Sequence, residues 1–274
     1  MLSKNPTHFL SLIIPVYRQE KTIVANLKQI QSVLETLRYD YEIIAVVDGK
    51  VDAAYEKIQD SKLPNVRLFA YEKNHGKSYA IRFGMQKAKG DYVMFLDSGM
   101  EIDPNGISML LEHMEWYDAD IIVGSKRHPV SQVNYSWQRK ILSDGYYILV
   151  KLLFGIKIKD TQAGIKIFRK RVLEQTLPRL VEKKFAGDLE MLVVANTLGY
   201  HKIYEAPIKL TYNVGEGAST AATFSAIFNI LIFNVWLIIL FIYIIYNVIN
   251  LPDMLACRVV FYQRTLTINW FNYF

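Results

Sequence analysis

Cysteine is almost absent: Cys257 is the only one in 274 residues. That excludes an intramolecular disulfide framework and a metal cage built from several thiolates. Charge is missing from one stretch, AATFSAIFNILIFNVWLIILFIYIIYNVINL, Ala221 to Leu251. A bilayer core takes about 20 apolar residues, so this run is long enough to span with tilt. It raises mean hydropathy to +0.11 and hydrophobic content to 51%, high for a purely soluble domain. No secretory leader is evident, because MLSKNPTHFLSLIIPVY is a short apolar run broken by Pro15 and reads as a first strand. The bulk of the chain is therefore expected in the cytoplasm. An acid is missing too: in FLDSGMEIDP, Phe95 to Pro104, Asp97 is followed by Ser98 and Gly99 and has no acidic partner close by.

What is present is basic. A net charge of +6 and a pI near 9.1 suit an anionic membrane face or phosphorylated substrates. No nucleic-acid motif accompanies the charge, so nucleic acid is not an expected partner.

Through Ile121 strand and helix patterns alternate. FLSLIIPV, YEIIAVV, NVRLFAY, DYVMFL and ADIIVGS read as strands. Between them EKTIVANLKQIQSVLETL, VDAAYEKIQ, GKSYAIRFGMQKA and PNGISMLLEHMEWY read as helices, the last opened by Pro104. Such alternation predicts βαβ units, hence a mostly parallel sheet with helices on both faces. Ligands of such sheets bind beyond the carboxyl ends of the strands. That rule selects Pro15 to Glu20, Asp48, Asn74 to Lys77, Asp97 and Ser125 to Arg127.

Beyond Arg127, SWQRKILSDGYYILVKLLFG reads as a long helix with Arg139, Lys140 and Lys151 among its polar positions. Its apolar face belongs either to the core or to a lipid surface. KDTQAG reads as a loop, IKIF as a short strand, EMLVVANTLGY as a helix and KIYEAPIKLTY as a closing pair. The charge-free run is either one span or two re-entrant segments, with Asn229, Asn234 and Asn247 at the changes of environment. The tail after it is aromatic and modestly basic.

Eight pieces, PVYRQEKTI, VDGKVD, NHGKSYAIRFG, FLDSGMEIDP, GSKR, WQRKILS, DTQAGIKIF and GDLEML, follow one another over most of residues 9 to 212. In this order they resemble the family 2 glycosyltransferases, and within them the polyprenyl-phosphate (dolichol-phosphate) sugar synthases. The resemblance implies an α/β GT-A fold, Rossmann-like and mostly parallel, to which the charge-free run adds a C-terminal transmembrane segment. It divides the chain into a cytoplasmic glycosyltransferase domain (1–215), a membrane anchor (216–251) and a tail (252–274). The implied partners are a GDP- or UDP-hexose and polyprenyl phosphate at the cytoplasmic face of a membrane.

The resemblance also assigns roles. Pro15, Tyr17 and Glu20 are expected to hold base and ribose, and Asp48 to accept hydrogen bonds from the nucleoside. Lys77 brings a cation to the donor. Asp97 matches the first acid of an Asp-x-Asp pair that holds Mg²⁺ or Mn²⁺ on the donor diphosphate, screening charge on the leaving group. Gly99 replaces the second acid, so the expected metal ligands are Asp97 and Glu101 with phosphate oxygens; Mg²⁺ commonly uses only one or two carboxylates. Lys126 or Arg127 supplies a basic group, and Arg139, with Ser143 one turn on, meets the phosphates of donor and acceptor. Asp188 is the expected general base if the acceptor is a sugar hydroxyl; a lipid phosphate needs none. Two alternatives stay open: transfer to a sugar or lipid-linked oligosaccharide, and a catalytically weakened donor-binding or partner subunit.

Overall fold

The computed structural model describes residues 8–131, 137–182 and 187–211, with backbone alone for 137–142. The side chain of Arg139, the charge-free run and the tail lie outside the described residues.

Four strands come first: β1 (Phe9–Val16), β2 (Asp40–Asp48), β3 (Val66–Tyr71) and β4 (Tyr92–Leu96). The helices that follow them in turn are α1 (Ile23–Glu35), α2 (Ala54–Ser61), α3 (Lys77–Lys87) and α4 (Gly106–Trp116). β5 (Ile121–Ser125), α5 (Trp137–Phe154), β6 (Ile165–Arg169) and α6 (Lys170–Thr176) come next. A 3₁₀ turn at Leu177–Arg179, α7 (Gly187–Thr197) and β7 (Ile203–Pro207) complete the described elements.

The seven strands lie in the order β3-β2-β1-β4-β6-β5-β7. β6 runs antiparallel to both β4 and β5, and the other neighbours are parallel. β4 is apolar throughout and β1 is apolar but for Ser11, because helices cover both faces of the sheet. On one face Leu10, Leu12 and Ile14 join a cluster with Leu27, Ile30 and Leu34 of α1 and Leu110, Leu111 and Met114 of α4. α3 packs on β1 and β2.

The chain runs outward through β1, β2 and β3, then returns to place β4 on the other side of β1. Strand order therefore reverses between β1 and β4, which opens a crevice at their carboxyl ends. Asp97 is the residue that follows β4.

The expected elements form, with two corrections. The closing pair expected over residues 202–212 is one strand, β7, followed by a single bridge between Leu210 and Ile102. Pro207 has no N–H to offer a ladder, so pairing stops there. α6 and the 3₁₀ turn are additions, too short for a periodic pattern to announce. Among the described residues no helix is long and apolar enough to cross a membrane.

Candidate active site

Four charged side chains meet beyond the β1–β4 crevice. The Asp97 N–H donates to Gly164 O at 2.9 Å, fixing the point where the carboxylate leaves the sheet. Lys77 opens α3, and Gly76 before it has φ +99°, a conformation that suits glycine. Lys77 Nζ donates to Asp97 Oδ2 at 2.8 Å. It also lies 2.7 Å from Oδ1, an ion-pair contact without an aligned hydrogen bond. Asp188, in the first turn of α7, is buried; its Oδ1 accepts from Lys166 Nζ at 2.6 Å and its Oδ2 lies 3.9 Å from Lys77 Nζ. Lys166 is fully buried on β6, opposite Phe95 of β4, and also donates to Ala163 O at 2.8 Å. Lys166 Nζ and Lys77 Nζ stand 5.0 and 5.9 Å from the Phe95 ring centroid, inside cation–π reach.

These neighbours set the charge states. Burial works against the Lys77 ammonium, but Asp188 and Asp97 outweigh it, with a further push from Glu101, and hold its pKa above the ordinary lysine value. Burial raises the Asp97 pKa, and Lys77 only partly offsets that. Burial lowers the Lys166 pKa against the pull of Asp188.

A second group forms the adjoining wall. Arg127 Nη1 donates to Ser143 O at 2.8 Å and to Lys159 O at 3.3 Å, while Nη2 pairs with Asp144 Oδ1. The Lys126 N–H donates to Asp160 Oδ2 at 2.9 Å. The Tyr146 hydroxyl lies 3.4 Å from both Thr161 Oγ1 and Gln162 Nε2. Asp160 acts electrostatically on Lys166 and on Tyr146, which links this wall to the first cluster. Ser143 thus serves Arg127 through its carbonyl.

The expected nucleoside contacts divide. Pro15 is buried at the end of β1, and Tyr17 is 41% exposed with the Arg18 guanidinium 5.2 Å from its ring centroid. Glu20 and Asp48 fasten backbone. Glu20 Oε2 accepts from Ala53 N at 3.1 Å, while the Glu20 N–H donates to Asp52 Oδ2 at 3.0 Å, tying the start of α2. Asp48 Oδ1 accepts from His75 N at 2.8 Å; its Oδ2 accepts from Gly76 N at 2.9 Å and Asn74 Nδ2 at 3.0 Å. Asp48 therefore holds the loop that delivers Lys77.

The side chains present do not fit a divalent cation. Both oxygens of Asp97 face Lys77, Glu101 is exposed, and residue 99 is glycine. The charges of Lys77, Lys166, Asp97 and Asp188 cancel among themselves, so the Asp97 carboxylate is already matched by an ammonium. Among the described residues no group of three His, Cys, Asp or Glu could hold one.

Lys166, Asp160 and Gly164 belong to the site and carried no role in the sequence reading. Lys166 had a signal, a lysine between Ile165 and Ile167 in a strand short enough to be wholly buried. A Cβ on Gly164 would lie 2.1 Å from Asp97 Oδ2, so the carboxylate fills the space a side chain would need.

Similar proteins carry this fold and sequence pattern. A dolichyl-phosphate beta-glucosyltransferase of Dictyostelium discoideum is 30% identical over 213 residues, covering 72% of this chain and 65% of that protein. Its Drosophila melanogaster counterpart is 31% identical over 215 residues, with the same coverage of 72% and 65%. An undecaprenyl-phosphate 4-deoxy-4-formamido-L-arabinose transferase of Aeromonas hydrophila is 31% identical over 175 residues, covering 61% of this chain and 51% of that one. The chain thus spans about 65% of the length of the first two relatives. Among solved structures, mannosyl-3-phosphoglycerate synthase from Rubrobacter xylanophilus matches with a TM-score of 0.63 at 12% identity, over 90% of this chain and 77% of that one. Glucosyl-3-phosphoglycerate synthase from Mycobacterium tuberculosis, solved with Mn²⁺, UDP and phosphoglyceric acid, matches with a TM-score of 0.55 at 15% identity, over 73% and 69%. These two share the fold. Residues 11–177 match glycosyl transferase family 2, and the chain belongs to that family.

Proposed function

We propose that this chain transfers a hexose from a UDP- or GDP-linked donor to polyprenyl phosphate of the dolichyl or undecaprenyl type, with inversion at C1. Residues 216–251 anchor it in a membrane, and the catalytic unit works on the cytoplasmic face. The observation that carries the choice of acceptor is the engagement of Asp188. A sugar hydroxyl must give up a proton, so its base must be within reach of it. Asp188 is buried and has Oδ1 on the ammonium of Lys166. A lipid phosphate is already an anion and needs no base. Its oxygen forms the new bond to C1 as the bond from C1 to the donor's β-phosphate oxygen breaks, and the electron pair leaves with the diphosphate.

Other features support the same reading. The relatives named above act, by their names, on dolichyl and undecaprenyl phosphates. α5 exposes Ile148 and Leu152, one turn apart, beside the exposed Lys151. An exposed apolar pair next to a lysine suits a lipid surface at the mouth of the site. Arg139 and Ser143 serve the acceptor side, Arg127 supplies a basic group to the transfer, and Lys126, Pro15 and Tyr17 serve the donor side. Lys77, held by Asp97, receives the diphosphate. Mn²⁺ accompanies UDP in the M. tuberculosis synthase, so the assay includes arms with and without chelator.

The test uses membranes holding the full chain, labelled nucleotide sugars, and either polyprenyl phosphate or lipid-linked saccharide. Label extracted into chloroform with polyprenyl phosphate is the expected result. Product formed only on the saccharide would move the assignment to the hydroxyl acceptor. No turnover with any donor, in the wild type or in Gly99→Asp, would point to a binding subunit. Full activity in Asp97→Asn would defeat the site.

A further inference from the structure

We infer that Lys77 is the resident cation of the donor site: its ammonium meets the diphosphate of the sugar nucleotide, and transfer proceeds without a divalent ion. This rests on the glycosyltransferase reading and adds to it the identity of the group that takes up the leaving charge.

The first support is what Asp97 faces. Its carboxylate has one ammonium against both oxygens, at 2.7 and 2.8 Å. A divalent ion using Asp97 would first have to displace that ammonium. The second is the company Lys77 keeps. Asp97, Asp188 and Glu101 all act on it, so one ammonium sits where carboxylates from β4's end and α7 converge. Lys166 in turn neutralises Asp188 from within the core at 2.6 Å. That leaves Asp97 as the carboxylate in direct contact with Lys77.

The third support is access. The Lys77 side chain is 37% exposed, against none for Lys166, so of the two ammonium groups only Lys77 can reach a ligand. An ammonium has three N–H donors; one goes to Asp97 Oδ2, and the remainder can turn to phosphate oxygens. α3 begins at Lys77 with no side-chain cap, so the positive end of its dipole adds to the same charge. The fourth support is residue 99. A Cβ there would meet nothing closer than Gln19 Nε2 at 3.9 Å, so there is room for a second acid and the chain does not supply one.

In the transfer step, the C1–oxygen bond to the β-phosphate breaks and its electron pair stays on that oxygen. Lys77 donates a hydrogen bond to the oxygen as its charge grows, and no proton need leave the lysine. Asp97 keeps the ammonium aimed and charged.

The test is nucleotide binding by the full chain in detergent, measured by calorimetry with UDP and with GDP, in EDTA and in MnCl₂. Electron paramagnetic resonance of Mn²⁺ is recorded in parallel. The expected result is that whichever nucleotide binds does so with the same affinity, within roughly twofold, in both buffers, while Mn²⁺ stays free in solution. Lys77→Gln should weaken that binding by roughly tenfold or more, and Lys77→Arg should restore much of it. Gly99→Asp should introduce a bound Mn²⁺ signal. Binding that collapses in EDTA, or stoichiometric bound Mn²⁺ in the wild type, would overturn the role of Lys77 and leave the glycosyltransferase reading intact. Failure of both nucleotides in both buffers would overturn the donor site and Lys77 with it. The wild-type comparison decides the question even if a Lys77 variant does not fold.

Discussion

Gly164 and Asp97 share one volume, and the site depends on the glycine giving way. Gly164→Ala would push a methyl against Asp97 Oδ2 and turn the carboxylate off Lys77. Misplacing a catalytic group by about an ångström costs on the order of 100-fold in rate. Gly164→Ala should therefore lose activity of that order with little change in melting temperature, measured on the same preparation. Lys166 makes the opposite case, since its role is tied to stability. Lys166→Met strands the buried Asp188 carboxylate and should cost about 3–5 kcal/mol in chemical denaturation. Adding Asp188→Leu should recover much of that stability and none of the activity. Glu190, also buried, accepts from the N–H groups of Val181 and Glu182 at 2.9 and 3.0 Å. Burial still pushes its pKa up from 4.5 to about 7. The folded state then holds the proton more tightly than the unfolded chain, so this contribution is full below about 4.5 and is lost as pH rises through about 7. Melting curves across that range should show a smaller fall for Glu190→Gln than for the wild type; equal slopes would remove the carboxyl from the account.

At the scale of elements, the position of α7 relies on a close approach. A Cβ on Gly187 would lie 2.4 Å from Ser78 Oγ in the first turn of α3. Gly187→Ala should separate the two helix starts, drawing Asp188 away from Lys77 and Lys166. The expected outcome is reduced turnover together with a lower melting temperature, the combination that sets it apart from Gly164→Ala. If the acceptor is polyprenyl phosphate, as proposed, α5 offers the counterpart on its side. Replacing both Ile148 and Leu152 with serine should raise the KM for polyprenyl phosphate and leave that for the nucleotide sugar unchanged. Elements of this kind were largely legible, because apolar runs such as YVMFL stop where a chemical residue begins. The exceptions have physical causes. Pro207 ends β7 where periodicity continued, and α6 has only seven residues in which to show a face.

Over the whole molecule, reversal of strand order between β1 and β4 put Asp97 where the sequence reading expected it. The residues around it were only partly legible. Asp48 ends a strand and Glu20 follows one, as the rule requires, and both also accept from backbone N–H groups, a second task that the sequence pattern does not announce. No spacing rule distinguishes that from ligand binding. Lys166 escaped notice for a related reason: its place in the site comes from a strand that runs against the others, and the direction of a strand is not written in its pattern.

That reversed strand has a consequence for how the protein is made. β6 lies between β4 and β5, both of which leave the ribosome before it. Until Arg169 has been synthesised, the facing edges of β4 and β5 have no partner, and open strand edges invite association with other chains. When β6 enters, it fills the gap between β4 and β5 and sets Lys166 in place, and Asp188 and β7 follow later in the chain. A nascent chain therefore covers the β4 and β5 edges first and completes its charge cluster only when α7 arrives.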